Sequence, residues 1–167
     1  MVRHMLAGAG LVLGLLTACS SGESATAQTA APAAAAAQAA THPVSGLKVI
    51  DLTVESGGKK LPFRVEVADT PEAQARGLMF RTELGDNEGM IFPSATPETR
   101  SFWMKNTPLS LDIIFIGVDG RILNIAANTV PYSLDSVSSN GIASGVLELR
   151  AGRAKALGIV PGDKVTY

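Results

Sequence analysis

Two acidic residues embedded in apolar segments are the strongest candidates for chemistry in this chain. Asp112 lies in the run Leu111 to Ile116, and Glu148 lies in the run Gly145 to Leu149. A carboxylate on an apolar face is costly unless it is paired or hydrogen-bonded, and perturbed carboxylates collect at functional sites. Two carboxyl groups about 5–10 Å apart in an open cleft could hydrolyse a glycosidic bond. A structural role for both carboxylates is the leading interpretation, and Asp112 and Glu148 as a catalytic pair is the alternative.

A second candidate site surrounds the single tryptophan, Trp103, which is followed by Met104, Lys105 and Asn106. An indole beside these polar groups could stack on a sugar ring or a peptide, or it could cap one end of the core. Two nearby arginines could bind an anionic ligand through bidentate hydrogen bonds. The candidate ligand-binding residues are Arg76, Arg81, Trp103, Lys105, Asn106 and Asp112.

Asp112 shares a strand face with Ile114 and Ile116. We therefore expect its carboxylate to be buried and either ion-paired or hydrogen-bonded. The expected partner is an arginine, Lys105 or Asn106.

Three methionines offer a further, minor interpretation. Met79, Met90 and Met104 supply thioethers of the kind that bind Cu(I). Methionine is also a routine core filler, and no histidine beyond His42 could complete such a site. A copper site is thus a weak alternative.

Several classes of function lack the residues that they need. After Cys19 there is no cysteine, and after His42 there is no histidine, which excludes zinc hydrolysis, Ser-His-Asp catalysis and Cys-His catalysis in the domain. No glycine-rich phosphate-binding motif is present, and we expect no cofactor. The formal net charge is -1 and there is no basic stripe, so we expect no nucleic-acid partner.

The elements that must position these residues are mostly short strands. Apolar runs of strand length are separated by Gly, Pro, Asn and Asp, which is typical of an all-β domain. Thr70 and Pro71 predict the start of a short helix that ends at Gly77, and Arg153 to Leu157 predict a second one. We therefore predict a mainly β domain, a compact antiparallel barrel or sandwich (jelly-roll-like) with one or two short helices.

The N-terminus predicts export and a lipid anchor. Arg3 precedes the apolar run Met5 to Leu16, which is too short to span a bilayer and is typical of a signal peptide. The ending Leu16-Thr17-Ala18-Cys19 resembles a bacterial lipobox, in which Cys19 is lipidated. We predict a signal peptide over 1–18, a lipidated Cys19 with an Ala-rich tether over 19–45, and one β domain over 46–167. The expected location is the periplasmic side of the bacterial envelope, with Ser20 slightly favouring the outer membrane.

Three sequence blocks carry a family resemblance. They are Val67-Ala68-Asp69-Thr70-Pro71-Glu72 through Arg76-Gly77-Leu78-Met79-Phe80-Arg81, then Phe102-Trp103-Met104-Lys105-Asn106-Thr107, and Leu111-Asp112-Ile113-Ile114-Phe115-Ile116. Together with Gly89 to Phe92, Val146 to Leu149 and Gly158 to Asp163, they resemble domain of unknown function 192. The resemblance spans Lys48 to Tyr167. It implies a compact, mostly β domain that is often exported, and it implies no reaction and no catalytic residues.

The leading functional hypothesis is a non-enzymatic, lipid-anchored module that binds a small molecule, a glycan or a protein at the envelope. The alternative is a carboxylate-dependent glycan hydrolase that uses Asp112 and Glu148. The two hypotheses differ in one geometric respect. A hydrolase needs the two carboxyl groups to face each other across solvent, whereas structural carboxylates would be closed in by an arginine or by backbone donors.

Overall fold

The computed structural model describes residues 40–167. These residues belong to one compact unit. The predicted signal peptide, Cys19 and most of the predicted tether lie outside the described residues. Within 40–167, no helix is long and apolar enough to cross a membrane.

Strands dominate the described part of the chain, as predicted. The strands are β1 Val49–Ser56, β2 Lys59–Val67, β3 Glu88–Glu98, β4 Ser101–Phe102, β5 Leu111–Gly117, β6 Ile122–Ala126, β7 Val137–Ser138, β8 Ala143–Arg150 and β9 Lys164–Thr166. The helices are α1 Pro71–Arg76 and α2 Arg153–Leu157. The prediction of a mainly β domain with two short helices is confirmed.

Seven of the strands form one sheet in the order β6-β5-β8-β3-β2-β1-β9, and β4 pairs with β7 separately. Neighbours in the large sheet are antiparallel except β2 and β3, which run parallel. The expectation of a wholly antiparallel sheet is corrected here. Parallel neighbours need a crossover connection, and α1 with the loop that follows it supplies this connection between β2 and β3.

The two edge strands approach each other without closing a continuous barrel. Arg121, just before β6, forms one isolated bridge with Lys164 at the start of β9. The backbone N–H of Val165 also donates to the carbonyl oxygen of Gly120 at 2.8 Å. The sandwich-like alternative of the predicted fold is therefore the better description.

The sheet buries both of its faces, and each face has its own apolar cluster. Leu147 pairs with Ile91 and Ile114 in the first cluster, and Val146 pairs with Phe92 in the second. Successive residues of a strand point to opposite faces, so β8 contributes to both clusters in turn. Strand β5 is buried along its whole length, as its apolar sequence predicts for a central strand.

The folded part begins before residue 46, earlier than the sequence predicts. Thr41 forms a bridge with Lys48, and the backbone N–H of Val49 donates to the carbonyl oxygen of Ala40 at 2.7 Å. The Ser45 hydroxyl donates to the carboxylate of Glu66. Residues 40–45, predicted as the end of the tether, are thus held against the sheet by hydrogen bonds that composition alone does not reveal.

Helix α1 has the boundaries that its capping residues predict. The Thr70 hydroxyl accepts a hydrogen bond from the backbone N–H of Ala73 at 3.2 Å, and Pro71 occupies the first turn. Gly77 ends the helix with φ 48°, where other residues are strained. A Cβ atom at Gly77 would lie 3.3 Å from the ring of Phe92. Gly77 therefore lets the helix end pack closely on β3.

Candidate functional site

The two candidate catalytic carboxylates lie on opposite faces of the sheet. Asp112 of β5 pairs with Leu149 of β8, whereas Glu148 pairs with Ile113. Paired residues share a face and successive residues alternate, so the side chains of Asp112 and Glu148 point in opposite directions. The two carboxyl groups cannot flank one glycosidic bond. The proposed catalytic pair is therefore wrong.

Asp112 is fully buried, and three backbone N–H groups satisfy its carboxylate. Oδ1 accepts from Asn128 at 2.9 Å and from Gly152 at 3.1 Å, and Oδ2 accepts from Ala154 at 2.9 Å. The predicted burial and hydrogen bonding are confirmed, but the predicted partners, an arginine, Lys105 or Asn106, are wrong. The loops that follow β6 and β8 flank β5 on both sides, and they bring their backbone donors to this carboxylate.

Glu148 is also buried but, unlike Asp112, its carboxyl group has no hydrogen-bond donor from the protein among residues 40–167. It is 5% exposed, and its cross-strand neighbours are Met90 and Ile113. No salt bridge or side-chain hydrogen bond among residues 40–167 includes its carboxyl group. In the same range, no fully enclosed side-chain oxygen or nitrogen lacks a hydrogen-bond partner, so the Glu148 oxygens must reach a solvent-accessible space.

That space is a cleft of about 240 Å³ between the sheet, α1 and β4, and we call it the Glu148 cleft. Its apolar lining consists of Ala75, Gly77, Leu78, Met79, Phe92, Phe102 and Trp103. Its polar lining consists of Gln74, Arg76, Arg100, Ser101, Thr107 and Glu148. Burial raises the pKa of the Glu148 carboxyl to about 8, because this environment disfavours its charged form. The cleft therefore holds a carboxyl group that is mostly protonated at neutral pH.

The positive charges of the Glu148 cleft come from two arginines without carboxylate partners among residues 40–167. Arg76 ends α1 and is exposed. Arg100 donates from Nη1 to the hydroxyl of Ser94 at 2.8 Å and from Nη2 to Oε1 of Gln74 at 3.1 Å. Its guanidinium carbon also lies 5.6 Å from the centroid of the Phe102 ring. Arg100 is thus held in place by neutral groups, and its charge is left uncompensated.

Trp103 lies at the edge of the Glu148 cleft with 47% of its surface exposed. The Lys105 ammonium lies 5.1 Å from the centroid of the indole, a distance typical of a cation–π contact. One face of the indole is therefore covered by Lys105. The stacking on a sugar that the sequence suggests would be limited to the other face, unless Lys105 moves.

The remaining predicted ligand-binding residues lie outside the Glu148 cleft. Arg81 pairs with the buried Glu66 through Nη1 and Oε1 at 2.7 Å, and its Nη2 lies 3.4 Å from Nε2 of His42. Asn106 has φ 54° in a turn, and its side-chain amide contacts the sulfur of Met79. Among the six candidates, the structure places Arg76 and Trp103 in the lining of the cleft.

The three methionines have separate packing roles. Met90 is buried beside Glu148, and Met104 is buried with its sulfur accepting from the Thr129 hydroxyl at 3.2 Å. Met79 lies in the wall of the Glu148 cleft. Residues 40–167 also contain no group of three or more His, Cys, Asp or Glu side chains arranged to hold a metal ion.

Sequence reasoning missed Arg100, Phe92 and Phe102 as residues of the site. A usable signal was present for two of them. Arg100 and Phe102 are two residues apart next to β4, and this spacing places them on the same side of an extended segment. Phe92 offered no such signal, since its position in the cleft depends on how α1 packs on β3.

Comparison with known proteins defines the family. No curated protein matches this chain. A protein of unknown function from Novosphingobium aromaticivorans DSM 12444 is 52% identical, with a TM-score of 0.77 over 79% of this chain and 94% of that chain. A proposed transcription regulator from Sinorhizobium meliloti 1021 is 36% identical, with a TM-score of 0.70 over 72% of this chain and 94% of that chain. The model of domain of unknown function 192, described as an uncharacterized ACR, matches residues 52–167. The chain therefore belongs to the DUF192 family, as its sequence blocks indicate.

Proposed function

We propose that this protein is a non-enzymatic binding module of the bacterial cell envelope, anchored through Cys19, and that the Glu148 cleft holds a small molecule. The observation that carries this proposal is the Glu148 carboxyl group, which is 5% exposed, opens into the cleft and forms no salt bridge within residues 40–167. Its oxygens can meet only solvent in the cleft. A ligand with a hydrogen-bond donor could take the place of that solvent.

Binding accounts for the cleft better than hydrolysis does. Glu148 is the sole carboxylate among the described residues that line it, and these residues include no histidine or cysteine. Glycoside hydrolysis by the common mechanisms needs a second carboxylate on the other side of the bond. Asp112, the candidate for that role, lies on the opposite face of the sheet.

The size of the cleft favours a small ligand. A volume of about 240 Å³ is below the roughly 300–1,000 Å³ typical of pockets for drug-sized molecules. A long glycan or a protein segment would have to lie outside the cleft, along the exposed edge of Trp103. A compact molecule with polar groups at its ends matches the interior better.

The lipid anchor is the second part of the proposal. A fully extended chain from Cys19 to residue 40 would reach about 70 Å, which would allow the domain to sample the space above the membrane. Cys19→Ser should release the protein from the membrane fraction or leave it unprocessed, as judged by fractionation and intact mass. Membrane retention of a correctly cleaved Cys19→Ser protein would contradict this part.

The cleft can be tested by thermal unfolding with the low-molecular-weight fraction of an envelope extract. A ligand at about 100 times its dissociation constant should add about 2.7 kcal/mol to the free energy of unfolding. Trp103→Ala removes a wall of the cleft and should abolish the shift. Leu134→Ala, which changes an exposed apolar residue outside the cleft, is the control and should keep it. No shift in the unmodified protein, or the same shift in Trp103→Ala, would contradict the proposal.

A further inference from the structure

The Glu148 cleft contains one acidic side chain and two arginines that are not paired with each other. Glu148 lies on the sheet side, and Arg76 and Arg100 lie in the lining contributed by α1 and the segment before β4. Among residues 40–167, none of the three takes part in a salt bridge.

We propose that the cleft binds a free amino acid with an apolar side chain, whose ammonium group contacts Glu148 and whose carboxylate contacts a guanidinium group of Arg76 or Arg100. This inference rests on the proposed function and specifies its ligand. A zwitterion is the smallest molecule that gives both kinds of charged group a partner at once.

The donors needed for the carboxylate are available. An arginine side chain carries five N–H donors, and Arg100 uses one on Ser94 and one on Gln74, which leaves three. Arg76 has no side-chain hydrogen bond to a carboxylate in the described part of the chain. Arginine is also the side chain best suited to hold a carboxylate bidentately.

Simpler ligands fit the same cleft less well. A molecule with only an amine would enter beside two uncompensated guanidinium groups, which repel it. A molecule with only a carboxylate would use the arginines, but it would offer no hydrogen-bond donor to Glu148 on the sheet side. The apolar walls formed by Leu78, Met79 and Phe92 suit an aliphatic or thioether side chain.

Binding of a zwitterion should release a proton. Burial raises the pKa of Glu148 to about 8, so most Glu148 side chains carry a proton at pH 7 before a ligand binds. A bound ammonium group stabilises the carboxylate form and lowers that pKa. We therefore expect up to one proton to leave the protein for each ligand bound at neutral pH.

The test is isothermal titration calorimetry of the full chain in detergent at pH 7 with L-leucine, run in phosphate and in Tris buffer. Buffers with different ionisation enthalpies report the number of protons released. We expect L-leucine to bind with release of up to one proton. Isoamylamine and 4-methylpentanoate each lack one charged group, and we expect them to bind at least about tenfold more weakly.

Two variants separate the two contacts. Glu148→Gln should weaken L-leucine binding about tenfold or more and abolish proton release, while binding of 4-methylpentanoate stays unchanged. Arg76→Gln changes an exposed residue, and it should weaken L-leucine binding while leaving isoamylamine binding unchanged or stronger, because one repelling positive charge is gone. Glu55→Gln, an exposed site in β1, is the control and should bind like the unmodified protein.

Each other outcome would contradict a specific part of the proposal. Equal binding of 4-methylpentanoate and L-leucine would show that the cleft selects an anion, and equal binding of isoamylamine would show that it selects a cation. L-leucine binding without proton release would remove Glu148 from the contact. Failure of L-leucine to bind at about 10 mM would reject the ligand class, whereas the extract experiment with Trp103→Ala would still decide the proposed function.

Discussion

Asp112 and Glu148 are carboxylates of adjacent strands, one residue apart in register. Their surroundings differ in the number of hydrogen-bond donors that the protein supplies to each. Asp112 is fully enclosed and accepts three backbone hydrogen bonds. Glu148 is almost as deeply buried, yet it accepts none and opens into a cleft. Two carboxylates that are similarly buried can therefore differ in how many protein donors surround them. That number, and not burial, separates Asp112 from Glu148.

The difference follows from what covers each face of the sheet. On the Asp112 face, α2 and the loops after β6 and β8 present backbone N–H groups to the end of β5. On the Glu148 face, α1 and β4 present apolar side chains and long arginines. The Asp112 carboxylate links three chain segments and acts as a structural clamp, whereas the Glu148 carboxyl group opens into a cleft lined partly by aromatic side chains.

The largest expected effect is the loss of that clamp. Asp112→Ala should lower the free energy of unfolding by about 3–5 kcal/mol, because it leaves three buried N–H donors without acceptors. Urea unfolding followed by circular dichroism measures the change. Asp112→Asn keeps the shape and should cost less. A change below about 0.5 kcal/mol would show that the clamp has no structural role.

Replacing Glu148 should raise the free energy of unfolding at high pH, whereas replacing Asp112 lowers it. Its pKa is raised from 4.5 to about 8, so the folded state holds more protons between these values and stability falls as pH rises through this range. Glu148→Gln cannot ionise. At pH 5 the variant and the unmodified protein should be about equally stable. At pH 9 the free energy of unfolding of the variant should be higher by about 3 kcal/mol. This is less than the whole pKa shift of Glu148 implies, because water can enter the cleft.

Urea titrations of both proteins at the two pH values measure this difference. Glu55→Gln serves as the control, because Glu55 is exposed in β1 and should not change the pH dependence. Equal pH dependence of Glu148→Gln and the unmodified protein would mean that Glu148 ionises freely and would remove the contrast with Asp112.

Trp103 should make a smaller contribution, because 47% of its surface is exposed. Trp103→Ala should cost about 1–2 kcal/mol, less than the 3–5 kcal/mol of a fully buried aromatic residue. Fluorescence of this single tryptophan gives a second measurement, and acrylamide should quench it in part. Full protection from acrylamide would place the indole in the core and weaken the cleft as a binding site.

Arg76→Gln should have the smallest effect on stability, within about 0.5 kcal/mol, because Arg76 is exposed and has no carboxylate partner in the described residues. The pKa of Glu148 should also stay unchanged in this variant, as measured by NMR titration. A clear rise of that pKa would show that the guanidinium already stabilises the carboxylate, and the separation of charges in the cleft would be wrong.

The sequence predicts the local features of this domain well. The boundaries of α1 follow from Thr70, Pro71 and Gly77, whose effects act within one helical turn. The complete burial of β5 follows from its apolar residues. The burial of Asp112 was predicted from its neighbours, but its partners were not, since Asn128 and Gly152 donate through the backbone from 16 and 40 residues away. Every residue except proline has a backbone N–H group, so the residue types do not show which of these groups donate to Asp112.

What the sequence determined by itself was the family, the mainly β class, the helix caps and the presence of two carboxylates in apolar strands. The tertiary structure alone decided that these carboxylates lie on opposite faces. Register sets this arrangement, because a slip of one residue between β5 and β8 would move every β8 side chain to the other face. Register depends on the packing of two buried faces at once, and the alternation within a single strand contains no information about it.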